Sequence, residues 1–240
     1  IYFDQLIIGF SQVRGKREAV KKEENRKLRP NLLDLLPLIK DEEDDRFEDL
    51  KQWLIDTHSA SLNKGGDKPE ELNKTEAYRL ILKTVFEIIS DVIGHEIKLV
   101  DSDPVYKRLW VQEEGRNPVL FELLSQGFRN VFGWIGHFIK RLAESTDYAE
   151  TFLSEHAIVL IDEVDAYLHP LWQRNIMNTL AKHFPNTKFI ITTHSPLTVS
   201  YLNSVPTASR TLYILKRKED ELVVEKQIGK SAFIFKYKIK

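Results

Sequence analysis

The sequence predicts an α/β fold with a mainly parallel core sheet, and three observations carry that prediction. Ala157-Ile158-Val159-Leu160-Ile161 is a short, partly β-branched apolar run that stops abruptly at Asp162-Glu163, as a strand buried within a parallel sheet does. Lys188-Phe189-Ile190-Ile191-Thr192 is a second such run and ends in Thr193-His194-Ser195-Pro196. Between them, Leu171 to Phe184 places apolar residues at 171/172, 176/177, 180/181 and 184, one face of a helix. Strand, helix and strand make a crossover unit that sets Asp162, Glu163 and His194 along one sheet edge.

Taken in order, Tyr2 to Ile8 reads as a strand. Gly9-Phe-Ser-Gln-Val-Arg-Gly15-Lys16-Arg17 follows and nearly matches G-x-x-x-x-G-K-[ST]. It has one residue too many between the glycines, Arg17 stands where a hydroxyl must meet Mg²⁺, and charged residues follow instead of an apolar helix, so it is not a phosphate loop. Residues 14–29 carry eight Lys/Arg against three Glu, and residues 41–49 seven Asp/Glu against one Arg. Such blocks are solvated faces or mobile loops; the basic one is alternatively a phosphate-backbone contact. Leu-rich Asn31 to Ile39, broken by Pro37, packs between them.

Phe47 to Thr57 and Glu70 to Ile93 read as helices joined by a Gly/Pro-containing loop from Ser59 to Pro69, with Gly94 as the stop of the second. Glu96–Val100 and Lys107–Gln112 read as strands. A turn from Glu113 to Pro118 leads to a return strand, Val119–Leu123, in a β-hairpin. From Phe128, apolar residues recur at 128, 131/132, 135, 138/139 and 142, an amphipathic helix with Ser125 at its N-cap. Ser145 to Glu155 is a linker. After His194 a helical turn runs to about Leu202. Thr211–Leu215 and Leu222–Glu225 form a terminal hairpin, and the Lys-rich end frays.

Ligands of open α/β sheets bind beyond the carboxyl ends of the strands, where two carboxylates stand here. Nucleotide hydrolysis suits such an edge. In P-loop NTPases a strand-terminal Asp, the position of Asp162 here, holds Mg²⁺ that bridges β- and γ-phosphate oxygens; a following Glu, here Glu163, can orient and deprotonate the attacking water, and a nearby His, here His194, can contact the γ-phosphate. Buried strands also end at charged loops for no chemical reason, and the histidine closing the next strand is what shifts the balance. Ser125-Gln-Gly127 ahead of a helix is by itself an ordinary cap, although unpaired N–H groups there form an anion site and a glycine lets phosphate approach.

Leu160-Ile-Asp-Glu-Val-Asp-Ala-Tyr-Leu-His-Pro170 and Phe184-Pro-Asn-Thr-Lys-Phe-Ile-Ile-Thr-Thr-His-Ser-Pro196 together resemble the ABC-type ATPase heads of the SMC and OLD-like class. More narrowly, they resemble the "AAA family" ATPases of anti-phage defence systems such as Septu and retron-associated modules. A looser likeness reaches back to about Glu122. The resemblance implies a P-loop NTPase (ABC-ATPase-like) head with an inserted helical subdomain and a β-hairpin, binding ATP and Mg²⁺. It makes the first block a Walker B and D-loop, with Asp165 and His169 in the latter, and the second an H-loop. It also makes Ser125 and Gly127 an L-S-x-G signature that binds the γ-phosphate of an opposite protomer, hence a homodimer. Gln12 and Arg14 match a Q-loop glutamine and its neighbouring arginine, or a polar loop after an edge strand. Arg129 is a phosphate or trans-protomer contact, or faces solvent. His169 closes the loop ahead of Pro170 or acts catalytically. On this likeness residues 1–46 end a first lobe, 47–127 form the helical subdomain and hairpin, and 128–240 the Walker B, D-loop and H-loop lobe. With no long heptad run and no stretch resembling a Toprim domain, any nuclease would have to come from a partner effector.

At 240 residues and 42% hydrophobic the chain can bury a full α/β core. Its net charge of −1 leaves any nucleic-acid contact a local matter. The absence of cysteine excludes disulfides, thiolate metal sites and cysteine nucleophiles. No apolar run has the length of a membrane span and no signal peptide is visible, so a cytoplasmic protein is expected. The first residue is Ile, so a fragment, or a chain whose start lies upstream, is expected. Two other functions compete with an active ATPase. One is a metal-dependent hydrolase using Asp162, Glu163, Asp165, His169 and His194. The other is a nucleotide-gated scaffold with little turnover that holds and releases a nuclease.

Overall fold

A computed structural model describes residues 5–11, 32–35, 46–63, 69–200, 211–218, 221–228 and 231–237. The basic block, most of the acidic block, Gln12, Arg14 and the Gly15–Arg17 triplet lie outside the described residues. The core sheet is parallel throughout. β1 (Leu6–Phe10) and β6 (Thr187–Ile191) flank β5 (Ala157–Ile161), with Phe10 opposite Ile161 and Ile161 opposite Ile191. The three strands therefore end in one row, and Ser11, Asp162 and Thr192 leave the sheet side by side. β5 and its crossover helix follow the sequence expectation closely. β1 lies later than expected: Gly9 and Phe10 belong to the strand, because Phe10 is buried 6.1 Å from Trp134 and beneath the Arg46 guanidinium at 4.3 Å. Gly9 therefore opens no loop.

Helix α1 (Arg46–Leu62) packs on α2 (Pro69–Ile93). α1 runs through residues expected in the loop. Ser59 and Ser61 hydroxyls donate back to the carbonyls of Ile55 (2.9 Å) and His58 (2.7 Å), and Arg79 of α2 donates to the Ser61 carbonyl at 3.1 Å. Polar side chains thus remain within the helix by bonding it. The start of α1 is not a solvated face either. Arg46 is buried and donates to the Gly9 carbonyl at 2.6 Å, and Asp49 accepts from Lys140 at 2.6 Å. Gly94 ends α2 in the left-handed region, at φ +82°, the conformation only glycine adopts freely.

β2 (Ile97–Asp103), β3 (Arg108–Glu113) and β4 (Val119–Leu120) form an antiparallel sheet. The return strand is shorter than expected. Residues Phe121–Leu123 coil into a 3₁₀ turn, where Phe121 is drawn into the core by Phe47 and Phe132, at centroid distances of 4.8 and 5.0 Å. The central helix follows as α3 (Gln126–Val131), a π-helical turn (Phe132–Gly136) and α4 (His137–Ser145). Its 3.6-residue pattern predicted one wet face, yet residues 130–143 are all buried. The sheet lies on one side, where Phe138 meets Phe189 at 6.1 Å, and α1 on another. A Cβ on Gly136 would come within 2.7 Å of Leu50. One hydrophobic cluster joins residues of all three expected segments, Phe10, Leu54 and Trp134 among them.

Helix α5 (Pro170–His183) is clasped to α2 through Asp91, which accepts from Lys182 and pairs with His183, both at 2.6 Å. Burial opposes ionisation of Asp91, and the bonds to His183 and Lys182 outweigh it and hold the carboxyl below its usual range. Helix α6 (Pro196–Ser200) is one short turn. The terminal hairpin is a three-stranded antiparallel meander of β7 (Leu212–Lys218), β8 (Glu221–Ile228) and β9 (Ser231–Tyr237). The end expected to fray is thus a strand as far as Tyr237, paired along its length with β8. Among the described residues no helix is long and apolar enough to cross a membrane.

Candidate functional site

The carboxyl edge of the parallel sheet brings Asp162, Glu163 and His194 together. Asp162 follows β5 directly, and its N–H donates to the Phe10 carbonyl at 2.9 Å, tying it to β1. Its side chain is oriented from the other neighbour: Thr192 Oγ1 donates to Asp162 Oδ1 at 2.6 Å. Glu163 turns the chain sharply at φ +46°, a conformation that costs a non-glycine residue on the order of 1–3 kcal/mol and persists where surrounding bonds over-determine it. Those bonds are visible. Glu163 N–H donates to Thr192 Oγ1 at 2.8 Å, Val164 N–H to the Thr192 carbonyl at 3.1 Å, and Ala166 N–H to the Glu163 carbonyl at 3.0 Å. The result is a half-exposed carboxylate at the mouth of the edge, with Nε2 of the exposed His194 standing 3.7 Å from Glu163 Oε1.

The residues around His194 hold neighbouring structure. Thr193 Oγ1 donates to Asp165, and Ser195 Oγ donates to Gln173 Oε1 at 2.6 Å while accepting from the Leu197 N–H at 3.1 Å. The imidazole of His194 is instead left 87% exposed. Asp165 is therefore a loop-bracing carboxylate as well as a candidate ligand. His169 caps α5: its Nδ1 accepts from the Leu171 N–H at 3.3 Å ahead of Pro170 at the first helical position.

Ser125 is the N-cap of α3, as expected, but its side chain makes no capping bond and is exposed. Gly127 is buried, and a Cβ there would lie 2.9 Å from both the Tyr167 carbonyl and the Trp172 ring. The glycine thus admits its own chain's loop at close range. Asn130, also buried, donates its amide to the Ala166 carbonyl, and Gln173 Nε2 donates to the Leu168 carbonyl at 2.9 Å. Ser125 and Gly127 line a groove of about 680 Å³ with Tyr167, His169 and Trp172, and that groove contains none of Asp162, Glu163 or His194. The two halves of the expected site sit apart on one chain. Arg129 bonds Gln126 Oε1 at 2.9 Å.

Thr192, Thr193, Asn130 and Gln173 were not singled out in the sequence. The paired threonines ahead of His194 were their one available signal; Asn130 and Gln173 look like ordinary polar positions on helices.

The family described as "AAA domain, putative AbiEii toxin, Type IV TA system" matches residues 14–200. The Retron Vc95 probable ATPase of Vibrio cholerae serotype O1 biovar El Tor is 32% identical over 126 residues, covering 52% of this chain and 24% of that protein. The Retron Ec83 probable ATPase of Escherichia coli is 45% identical over 73 residues, covering 30% of this chain and 14% of that protein. The chain thus spans about a quarter or less of the length of these curated relatives. Among solved structures, the SMC head bound to the C-winged helix domain of ScpA aligns at a TM-score of 0.45 and 12% identity, over 82% of this chain and 55% of that one.

Proposed function

The chain belongs to the AAA-domain family described as putative AbiEii toxin, Type IV TA system, and from that premise we propose that it is an ABC-type ATPase head. In this reading it binds and hydrolyses ATP, pairs with a second copy around nucleotide, and controls a partner effector, a nuclease, in anti-phage defence. The observation that carries the chemistry is the edge where Asp162, Glu163 and His194 meet, braced by Thr192. The defence role rests on the two retron ATPases named above and on the likeness to Septu-type proteins.

The donor set suits Mg²⁺, which takes oxygen ligands and is held by one or two carboxylates plus substrate phosphates. Asp162 supplies such a carboxylate, already oriented by the Thr192 hydroxyl. Bound there, the ion would offset charge developing on the phosphate oxygens. Glu163, beside it, accepts a proton from the attacking water, and His194 donates a hydrogen bond to the γ-phosphate. A metal-dependent hydrolase is the weaker reading, because among the described residues no three His, Asp or Glu side chains gather into a metal-holding group.

The test is Glu163→Gln in the full-length protein. The amide keeps shape and hydrogen bonding but accepts no proton, so ATP binding persists while hydrolysis slows by about 10²–10⁴-fold. Asp162→Ala instead weakens Mg²⁺-dependent nucleotide binding. Hydrolysis at the wild-type rate by the Gln variant would remove Glu163 as the base.

A further inference from the structure

We propose that Thr192 is the positioning residue of this site, one hydroxyl aiming the Asp162 carboxylate and fixing the turn that presents Glu163. The inference rests on the ATPase reading above and deepens it. Thr192 follows β6 directly and meets the Asp162-Glu163 turn at four points. Its N–H donates to the Ile161 carbonyl at 3.0 Å, its carbonyl accepts from Val164, and its Oγ1 serves Asp162 and Glu163 at once. A hydroxyl has one donor and two acceptor positions. Here the donor goes to the carboxylate at 2.6 Å and an acceptor to the Glu163 amide at 2.8 Å. Fixing one carboxylate oxygen sets the plane in which the other lies, and thereby where a cation can be met. Fixing the amide holds Glu163 at its left-handed φ of +46°. Thr192 touches no reacting atom in this arrangement; it acts through its two neighbours, and His194, two residues on, is left to face the nucleotide.

Burial separates this role from a structural one. Thr192 is exposed, its backbone bonds to Ile161 and Val164 survive loss of the hydroxyl, and a hydrogen bond is worth about 0.5–1.5 kcal/mol net. Loss of a side chain that orients a metal ligand typically costs about 10–100-fold in metal affinity or activity. Turnover and Mg²⁺ dependence should therefore fall strongly while the melting temperature drops only modestly.

The experiment compares wild type, Thr192→Val and Thr192→Ser in the full-length protein. It measures kcat and KM for ATP, the Mg²⁺ concentration for half-maximal activity, nucleotide affinity in EDTA, and thermal unfolding. Val keeps the shape and lacks the hydroxyl; it should lose about 10–100-fold in kcat or Mg²⁺ affinity, with Mg²⁺-free nucleotide affinity unchanged. Ser should recover activity to within a few-fold of wild type. Should Val prove poorly folded, Thr192→Ala removes the hydroxyl without bulk, with the same expected loss. A hydroxyl-free, folded variant with wild-type kcat and Mg²⁺ requirement overturns the proposal, as does equal impairment of Ser and Val. A wild-type protein that neither binds nor hydrolyses ATP overturns the ATPase reading itself, a different result from an active protein indifferent to Thr192.

Discussion

At Gly127 a missing side chain decides how closely a helix and a loop approach. The Tyr167 carbonyl occupies the space a Cβ would need, at 2.9 Å, and Trp172 closes the other side at the same distance. A backbone carbonyl cannot swing aside as a flexible side chain can, and Asn130 holds the adjacent Ala166 carbonyl from the same helix. Gly127→Ala is therefore an overpacking change, expected to cost about 1–3 kcal/mol in chemical denaturation although alanine favours helices. Stability within a few tenths of a kcal/mol of wild type would mean that helix and loop separate freely. His169 makes the complementary point: a titratable ring in a catalytic-looking loop serves here as a helix cap.

Among the elements, the central helix packs against α1, α2 and β1, and one of its buried polar ties is remote in sequence. Arg141 of α4 grips Asp34 of the 3₁₀ turn Leu32–Leu35 with two bonds, at 2.8 and 3.1 Å, both side chains being 1% exposed. Burial opposes the guanidinium charge, yet the bonds to Asp34 and Glu144 outweigh it and raise the Arg141 pKa. Removing one member of such a pair strands the other charge, which typically costs about 3–5 kcal/mol. Asp34→Ala should fall toward the low end, because Glu144 still accepts from Arg141 at 2.7 Å. Urea midpoints for wild type, Asp34→Ala and the double change Asp34→Leu/Arg141→Met check this. The double change should regain much of the loss, and an Asp34→Ala protein as stable as wild type would refute the tie.

For the whole molecule, the decisive feature is separation: the Ser125–Gly127 groove shares no lining with the Asp162-Glu163 edge. If the groove receives a γ-phosphate, the nucleotide is held by another copy, and a two-fold pairing makes two composite sites. Ser125→Arg fills the docking point of an exposed cap while leaving nucleotide binding by the edge intact. It should block ATP-dependent pairing and turnover. Mixed with Glu163→Gln, it yields dimers with one doubly lesioned site and one intact site, so activity should reappear on mixing. Mixed dimers that form, as seen by mass photometry, yet stay as inactive as either parent would return Ser125 to the role of an ordinary cap.

Legibility in the sequence followed the range of the interactions. The crossover unit from Ala157 to Ile191, helix α2 with its glycine stop, and the placing of Asp162, Glu163 and His194 on one edge were all readable, because strand and helix periods are written in neighbouring residues. Bounds set by distant partners were not. β1 extends to Phe10 because Trp134 and Arg46 cover that ring, and the third strand of the meander exists by pairing with β8. The bracing of the site was hidden for the same reason. Thr192 meets Asp162 and Glu163 across 30 and 29 residues of chain, and Asn130 meets Ala166 across 36. The sequence by itself determined which side chains carry charge and where strands stop. Only the tertiary structure decided which hydroxyl aims which carboxylate, because a hydrogen bond between remote segments leaves no periodicity in either of them.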